Sequence, residues 1–238
     1  PFALLRDEWD IRSLRGASCR AQALGYKIEE FRVHGSMTPR KLSHVLWSRG
    51  IQGVLIGPLK QPRTLAGFQW ESFSTVAIGL SLLEPRLHRV SYNQLEGMLM
   101  AIRVLHEMGY ARIGCVTTRS LEMRVRYAWK AGFLTACEIL GIEVPVPVMY
   151  YDPANFPLLE EWRLHYRPDV ILGMPHLMNS TSPLVRNLLE RTDHASLQTM
   201  ESAPGISGIN QKWDILGAAA VDLLINNLYV GQKGIPGE

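Results

Sequence analysis

The sequence predicts an α/β protein built from parallel sheets with helices on both faces. Short continuous apolar runs of strand length recur, among them Val54 to Ile56, Val76 to Ile78, Ile113 to Val116 and Val170 to Leu172. Such runs fit strands covered on both sides. Segments with helical periodicity alternate with these runs, and short Gly- or Pro-marked turns join them. The clearest stretch is His88 to Thr118, which reads as strand, helix, Gly turn and strand, one βαβ unit that the rest of the chain repeats. Within it Leu95, Met98, Leu99, Ile102, Leu105 and Met108 fall at three- and four-residue intervals and share one helical face. Asn93 stands at the N-cap with Glu96 three residues on, a capping box that satisfies two backbone donors. Gly109 supplies the left-handed stop.

The other elements follow in order. Phe2 to Leu5 is a first strand, and the charged loop Arg6-Asp7-Glu8-Trp9 leads to a helix over Asp10 to Leu24 ended by Gly25. Lys27 to Val33 is strand-like. Thr38 with Pro39 after it is an N-cap and first-turn pair that starts a helix reaching Gly50. A helix from about Glu122 to Leu140 carries Trp129, Phe133, Ala136 and Cys137, and Val144 to Tyr151 is a strand broken by Pro145 and Pro147. Leu158 to Tyr166 and Pro183 to Leu189 are helical, and Ala195 to Thr199 is the last strand of this half. The helix Trp213 to Val230 is apolar almost all round, which leaves two readings open, deep packing or a subunit interface.

At 238 residues, 47% hydrophobic and 20% charged, the chain can bury one large core or two modest ones. The net charge of +3 gives no polybasic surface that would bind nucleic acid strongly without a further domain. Cys19, Cys115 and Cys137 are unclustered and read as buried reduced thiols. No apolar run reaches a membrane span, and no charged-then-apolar leader is seen at the start. The seven histidines lack metal-ligand spacing, Gly205-Ile206-Ser207-Gly208 has the wrong spacing for a phosphate loop, and no nucleophile elbow occurs. The adjacent pairs Glu29-Glu30 and Glu160-Glu161 read as solvated surface. Neither an enzyme nor a cofactor or metal is called for.

Three segments carry a resemblance. Asn93-Gln94-Leu95-Glu96-Gly97, with Ala101, Leu105, Gly109-Tyr110 and Arg112-Ile113-Gly114, is the first. Gly132-Phe133, Ala136 and Gly141 are the second, and Gln211, Gly217, Ala220, Leu223-Leu224, Gly231 and Pro236 the third. In this order they resemble the lactose/galactose-repressor (LacI/GalR) family of bacterial transcription regulators. Amides at 93 and 94 replace the family's Asp-Asn pair, Tyr110 its His, and Lys212 the Pro of its Gln-Pro dipeptide. Between Arg191 and Ser196 the family's connection is longer.

The resemblance implies the type I periplasmic-binding-protein-like fold, two Rossmann-like subdomains with a hinged cleft between them. The N-terminal subdomain would be 1–117 plus 207–231 and the C-terminal one 118–206. It further implies a cytoplasmic homodimeric regulator. Its cleft would bind a small-molecule effector, a carbohydrate by family analogy, and a helix-turn-helix domain absent from this chain would bind operator DNA. The competing reading is a solute-binding receptor of a sugar transporter, which uses the same architecture.

Ligands of open α/β sheets sit at the carboxyl ends of the strands. The candidate ligand-binding residues are therefore Asp7, Trp9, Pro58, Leu80, Arg119, His176 and Gln198, joined by Arg126 and Trp129. In sugar-responsive members of the family an Arg stands three residues before the Gly-Phe pair, where this chain has Trp129, with Arg126 three residues earlier. Pro175-His176 replaces the family's Asn-Asp pair, and Gln198-Thr199 its Asp-rich turn. Several groups that grip hydroxyls in the family are thus missing. Taken singly, each loop residue is also explained by surface or local packing.

Overall fold

A computed structural model describes residues 1–6, 11–33, 37–59, 63–142, 146–178, 180–199 and 205–236. The chain divides into two compact units, Pro1–Tyr92 with Lys212–Glu238, and Asn93–Gln211.

The first unit runs β1 (Phe2–Arg6), α1 (Arg12–Ala23), β2 (Ile28–Arg32), α2 (Pro39–Ser48), β3 (Gly53–Ile56), β4 (Arg63–Thr64), β5 (Ser74–Ile78), β6 (Leu82–Glu84) and β7 (His88–Val90). The second contributes α3 (Gln94–Glu107), β8 (Ile113–Thr117), α4 (Arg119–Arg124), α5 (Ala128–Ile139), β9 (Met149–Tyr150), α6 (Phe156–Tyr166), β10 (Val170–Gly173), α7 (Pro175–Met178), α8 (Pro183–Glu190) and β11 (Asp193–Ser196). The closing helix α9 (Trp213–Tyr229) returns to the first unit.

The first sheet has the order β2-β1-β3-β5-β7, with every pairing parallel. Its central strands β1, β3 and β5 are buried on both sides almost throughout, whereas the edge strands β2 and β7 are only partly buried. In β1, Ala3 and Leu5 join the core that holds Leu42 and Leu46 of α2, while Phe2 and Leu4 join the core of Ala17 from α1 and Leu224 from α9. Thr38 caps α2 by accepting the Lys41 N–H at 3.3 Å, with Pro39 at the first helical position.

Helices α1 and α9 approach each other through glycine. A Cβ on Gly217 would stand 2.1 Å from the Ser13 carbonyl oxygen, and one on Gly16 would stand 1.9 Å from that of Asp214. Of the two readings of the last helix, its buried residues Gly217, Ala220, Val221 and Leu224 support deep packing in the first unit. Ile215 and Tyr229 remain exposed.

The second sheet, β11-β10-β8-β9, is also parallel. Ile171 packs with Leu159 and Trp162 of α6 and Val185 of α8. The other helical layer is α3 against α5, where a Cβ on Gly132 would meet the Met98 Cβ at 2.8 Å and the Leu95 carbonyl oxygen at 2.9 Å. Asn93 caps α3, accepting the Glu96 N–H at 3.2 Å.

Several expectations need correction. Residues 88–118 are not a βαβ unit of one sheet: β7 pairs with β5 in the first sheet, whereas β8 pairs with β9 and β10 in the second. The division therefore falls after Tyr92 and after Gln211, not after 117 and 206. Met108 does not share the buried face of α3 and is exposed. The single helix expected over 122–140 is two, because Arg126 and Tyr127 both take left-handed backbone (φ 56° and 60°), a conformation costly for residues with a Cβ. Lys212, in the place of the resembled family's proline, has φ 52°, which a pyrrolidine ring forbids. Cys19 is exposed, while Cys115 and Cys137 are buried and burial raises their thiol pKa values. Among the described residues no helix is long and apolar enough to cross a membrane.

Candidate functional site

The carboxyl end of each sheet gathers side chains that the sequence leaves scattered. In the first unit Arg6 ends β1, and its Nε donates to Glu30 Oε2 at 2.6 Å. Pro58 follows β3 and is buried, and Leu80 follows β5 and is half-buried. Between them Gly79 leaves room against both Pro58 and the Trp213 ring of α9, each within 4 Å of its absent Cβ. The turn is fixed by the Leu59 N–H donating to Ser81 Oγ at 2.7 Å, and by Arg89 donating to the carbonyls of Gly79 and Leu82 at 2.7 and 2.9 Å. Asp7 and Trp9 lie outside the described residues.

In the second unit β8 and β9 end together, Thr117 beside Tyr150. Thr118 then caps α4, accepting the Leu121 N–H at 3.2 Å. Arg119 at the start of α4 lies over the Tyr150 ring, 4.7 Å from its centre, and Lys130 in the first turn of α5 lies 6.0 Å from the same centre. The left-handed pair Arg126-Tyr127 turns the chain between α4 and α5 and so brings Lys130 to this edge. Arg126 itself is exposed and Trp129 is buried. His176 belongs to α7 after β10, and its side chain lies outside the described residues. Gln198 is half-buried after β11, where its backbone closes a local turn with Ser196 Oγ.

Beneath this edge sits Glu122, fully buried. Its Oε2 accepts the Lys130 N–H at 3.4 Å and Oε1 has no hydrogen-bond partner. The carboxylate occupies the position of a cap for α5, whose preceding residue Tyr127 offers no side-chain cap. Burial pushes the Glu122 pKa up, opposed by the Lys130 amide and the Lys130 charge. An acid whose folded pKa lies above its unfolded value contributes stability below the unfolded value. That stability is lost as the pH rises through the folded one. Glu122→Gln is therefore expected to hold its denaturation midpoint where the wild type falls, between the ordinary glutamate range and the raised value. A variant-minus-wild-type difference in urea midpoint that does not grow with pH across that window would contradict this.

Tyr150, Lys130, Glu122 and Trp213 are missed by sequence reasoning. Tyr150 belongs to a strand of two residues and Trp213 opens a helix without a motif, so neither has a local signal. The order of apolar runs does mark the strand ends, and Arg119 is found that way.

A groove of about 620 Å³ lies elsewhere in the second unit, lined by Met100 and Val104 of α3, Val170 and Asp193 of the strand starts, and Ile206 and Ile209. It lies against the amino ends of β10 and β11. Tyr110 at its rim donates to Asp193 at 2.8 Å, so two of its polar groups satisfy each other.

No family model matches the sequence, and no curated protein is similar to it in sequence. Solved structures are similar in fold. The crystal structure of a LacI transcriptional regulator from Lactobacillus brevis matches with a TM-score of 0.71 at 16% identity, covering 99% of this chain and 95% of that one. The transcriptional regulator CelR in complex with cellobiose gives 0.73 at 18% identity over 98% of this chain and 79% of its own. The lac repressor dimer bound to operator and the anti-inducer ONPF gives 0.68 at 16% identity over 98% and 88%. This chain has the periplasmic-binding-protein-like fold of LacI-family regulators.

Proposed function

We propose that this chain is the ligand-sensing core of a LacI-type transcriptional regulator, a binding protein rather than an enzyme, working in the cytoplasm. The observation that carries this reading is the fold likeness to such regulators, which extends over nearly the whole chain. A small polar ligand, sugar-like by analogy with the cellobiose complex of CelR, binds at the carboxyl edge around Thr118, Arg119 and Tyr150. Polar groups orient it and aromatic surface packs on it. Ligand binding then shifts the population of a state that favours or disfavours operator DNA, which is held by a domain outside this chain. The regulator works as a homodimer, and the exposed Ile11, Ile215 and Tyr229 supply apolar surface for it. Sedimentation equilibrium giving a monomer at micromolar concentration would remove the dimer from the proposal.

The test is thermal unfolding against monosaccharides, disaccharides, sugar phosphates, uronic acids and nucleobases. A ligand selective for the native state raises the midpoint by mass action, by about 2.7 kcal/mol of stability at a hundred times its Kd. One chemical class is expected to do so, and silence across the panel would count against a sensing role.

A further inference from the structure

The carboxyl edge of the second sheet has a charge pattern that narrows the ligand. Resting on the proposed sensing role, we infer that the ligand carries an oxyanion, a carboxylate or phosphate, held by Arg119 and Lys130 beside Tyr150. The two cations come from different helices, α4 and α5, and meet at one ring, 4.7 and 6.0 Å from its centre. Both bring positive charge to the same aromatic ring, which favours an anionic ligand over a neutral one.

The Glu122 carboxylate lies near the Lys130 charge, but no protein carboxylate pairs with Arg119 among the described residues. Arg6, Arg20, Arg49 and Arg163 each pair with a Glu or Asp at 3.3 Å or less. Arg119 is exposed, and among the described residues no ion pair or hydrogen bond takes its guanidinium. Glu122 is turned inward, its Oε2 accepting the Lys130 N–H, and Asp152 Oδ1 accepts the Ala154 N–H at 3.0 Å. The aromatic face limits the freedom of the guanidinium and leaves its N–H edge for an oxyanion. Paired N–H donors in that geometry match a carboxylate or a phosphate.

The experiment uses matched sets: glucose, galactose and mannose, their uronic acids and their 6-phosphates, with acetate and inorganic phosphate as bare anions. Thermal midpoints are read for the wild type, Arg119→Gln, Lys130→Gln and Arg119→Lys. The expected result is a shift with acidic members only, weakened about tenfold or more in apparent affinity by Arg119→Gln. The ligand-free midpoint should stay at the wild-type value, and Arg119→Lys should restore part of the binding. A response to uronic acids alone identifies the anion as carboxylate, and one to the phosphates alone identifies it as phosphate. Equal shifts with neutral sugars would overturn the anion while leaving the sensing role intact. Acid-specific shifts untouched in both Gln variants, or matched by bare phosphate, would overturn the site. No shift with any member would defeat the sensing role and the anion together.

Discussion

Gly217→Val is expected to destabilise the first unit while the second keeps its stability. The Cβ alone would stand 2.1 Å from the Ser13 carbonyl oxygen and 2.8 Å from the Ala17 nitrogen. Both are backbone atoms of α1, so no side chain can swing away to make room. Overpacking a core costs about 1–3 kcal/mol when side chains can adjust, and a clash of helix on helix belongs at or above the top of that range, roughly 3 kcal/mol. Gly16→Val strikes the same crossing from α1 and should do the same, with little added by combining them. Hydrogen exchange reads the outcome: amides of β1, β3 and β5 lose protection, and those of β8 and β10 keep it. A loss under about 1 kcal/mol would show that α1 and α9 can separate freely.

Trp162→Ala is expected to be as damaging to the second unit. The ring fills the core formed with Leu159, Ile171 and Val185. It also lies over Gly114 of β8, where a Cβ would come within 2.6 Å of it. Its Nε1–H donates to the Pro147 carbonyl at 2.8 Å. Truncating a buried aromatic of this size costs about 3–5 kcal/mol, and the lost hydrogen bond adds to it. Trp162→Phe keeps most of the apolar area, so it should recover the larger part and leave a deficit of about 0.5–1.5 kcal/mol for the lost hydrogen bond. Urea denaturation followed by circular dichroism would check this, and equal losses for the two variants would contradict it.

The two cases show which features are legible in the sequence. Apolar runs identify the strands, since strands such as β1 and β10 are buried on both faces. Caps are equally local: Asn93 and Thr38 do in space what their positions along the chain imply. Sheet membership is not local. Nothing in 88–118 states that β7 and β8 pair with different partners, because pairing depends on residues far along the chain. The break at Arg126-Tyr127 is also hidden, since neither residue type favours left-handed backbone. Arg119 could be placed at a strand end from sequence alone. Its partners Tyr150 and Lys130 arrive from elements whose register only folding sets.

In the proposed function the ligand binds at the carboxyl edge of the second sheet and not in the groove between α3 and β11. The direct measurement is an amide chemical-shift map of the chain titrated with whichever ligand raises its thermal midpoint. The account predicts that the largest shifts fall on Thr118, Arg119, Lys130 and Tyr150, while Met100, Val104 and Asp193 stay near their starting positions. Shifts concentrated on the α3–β11 groove with the carboxyl edge unmoved would contradict it.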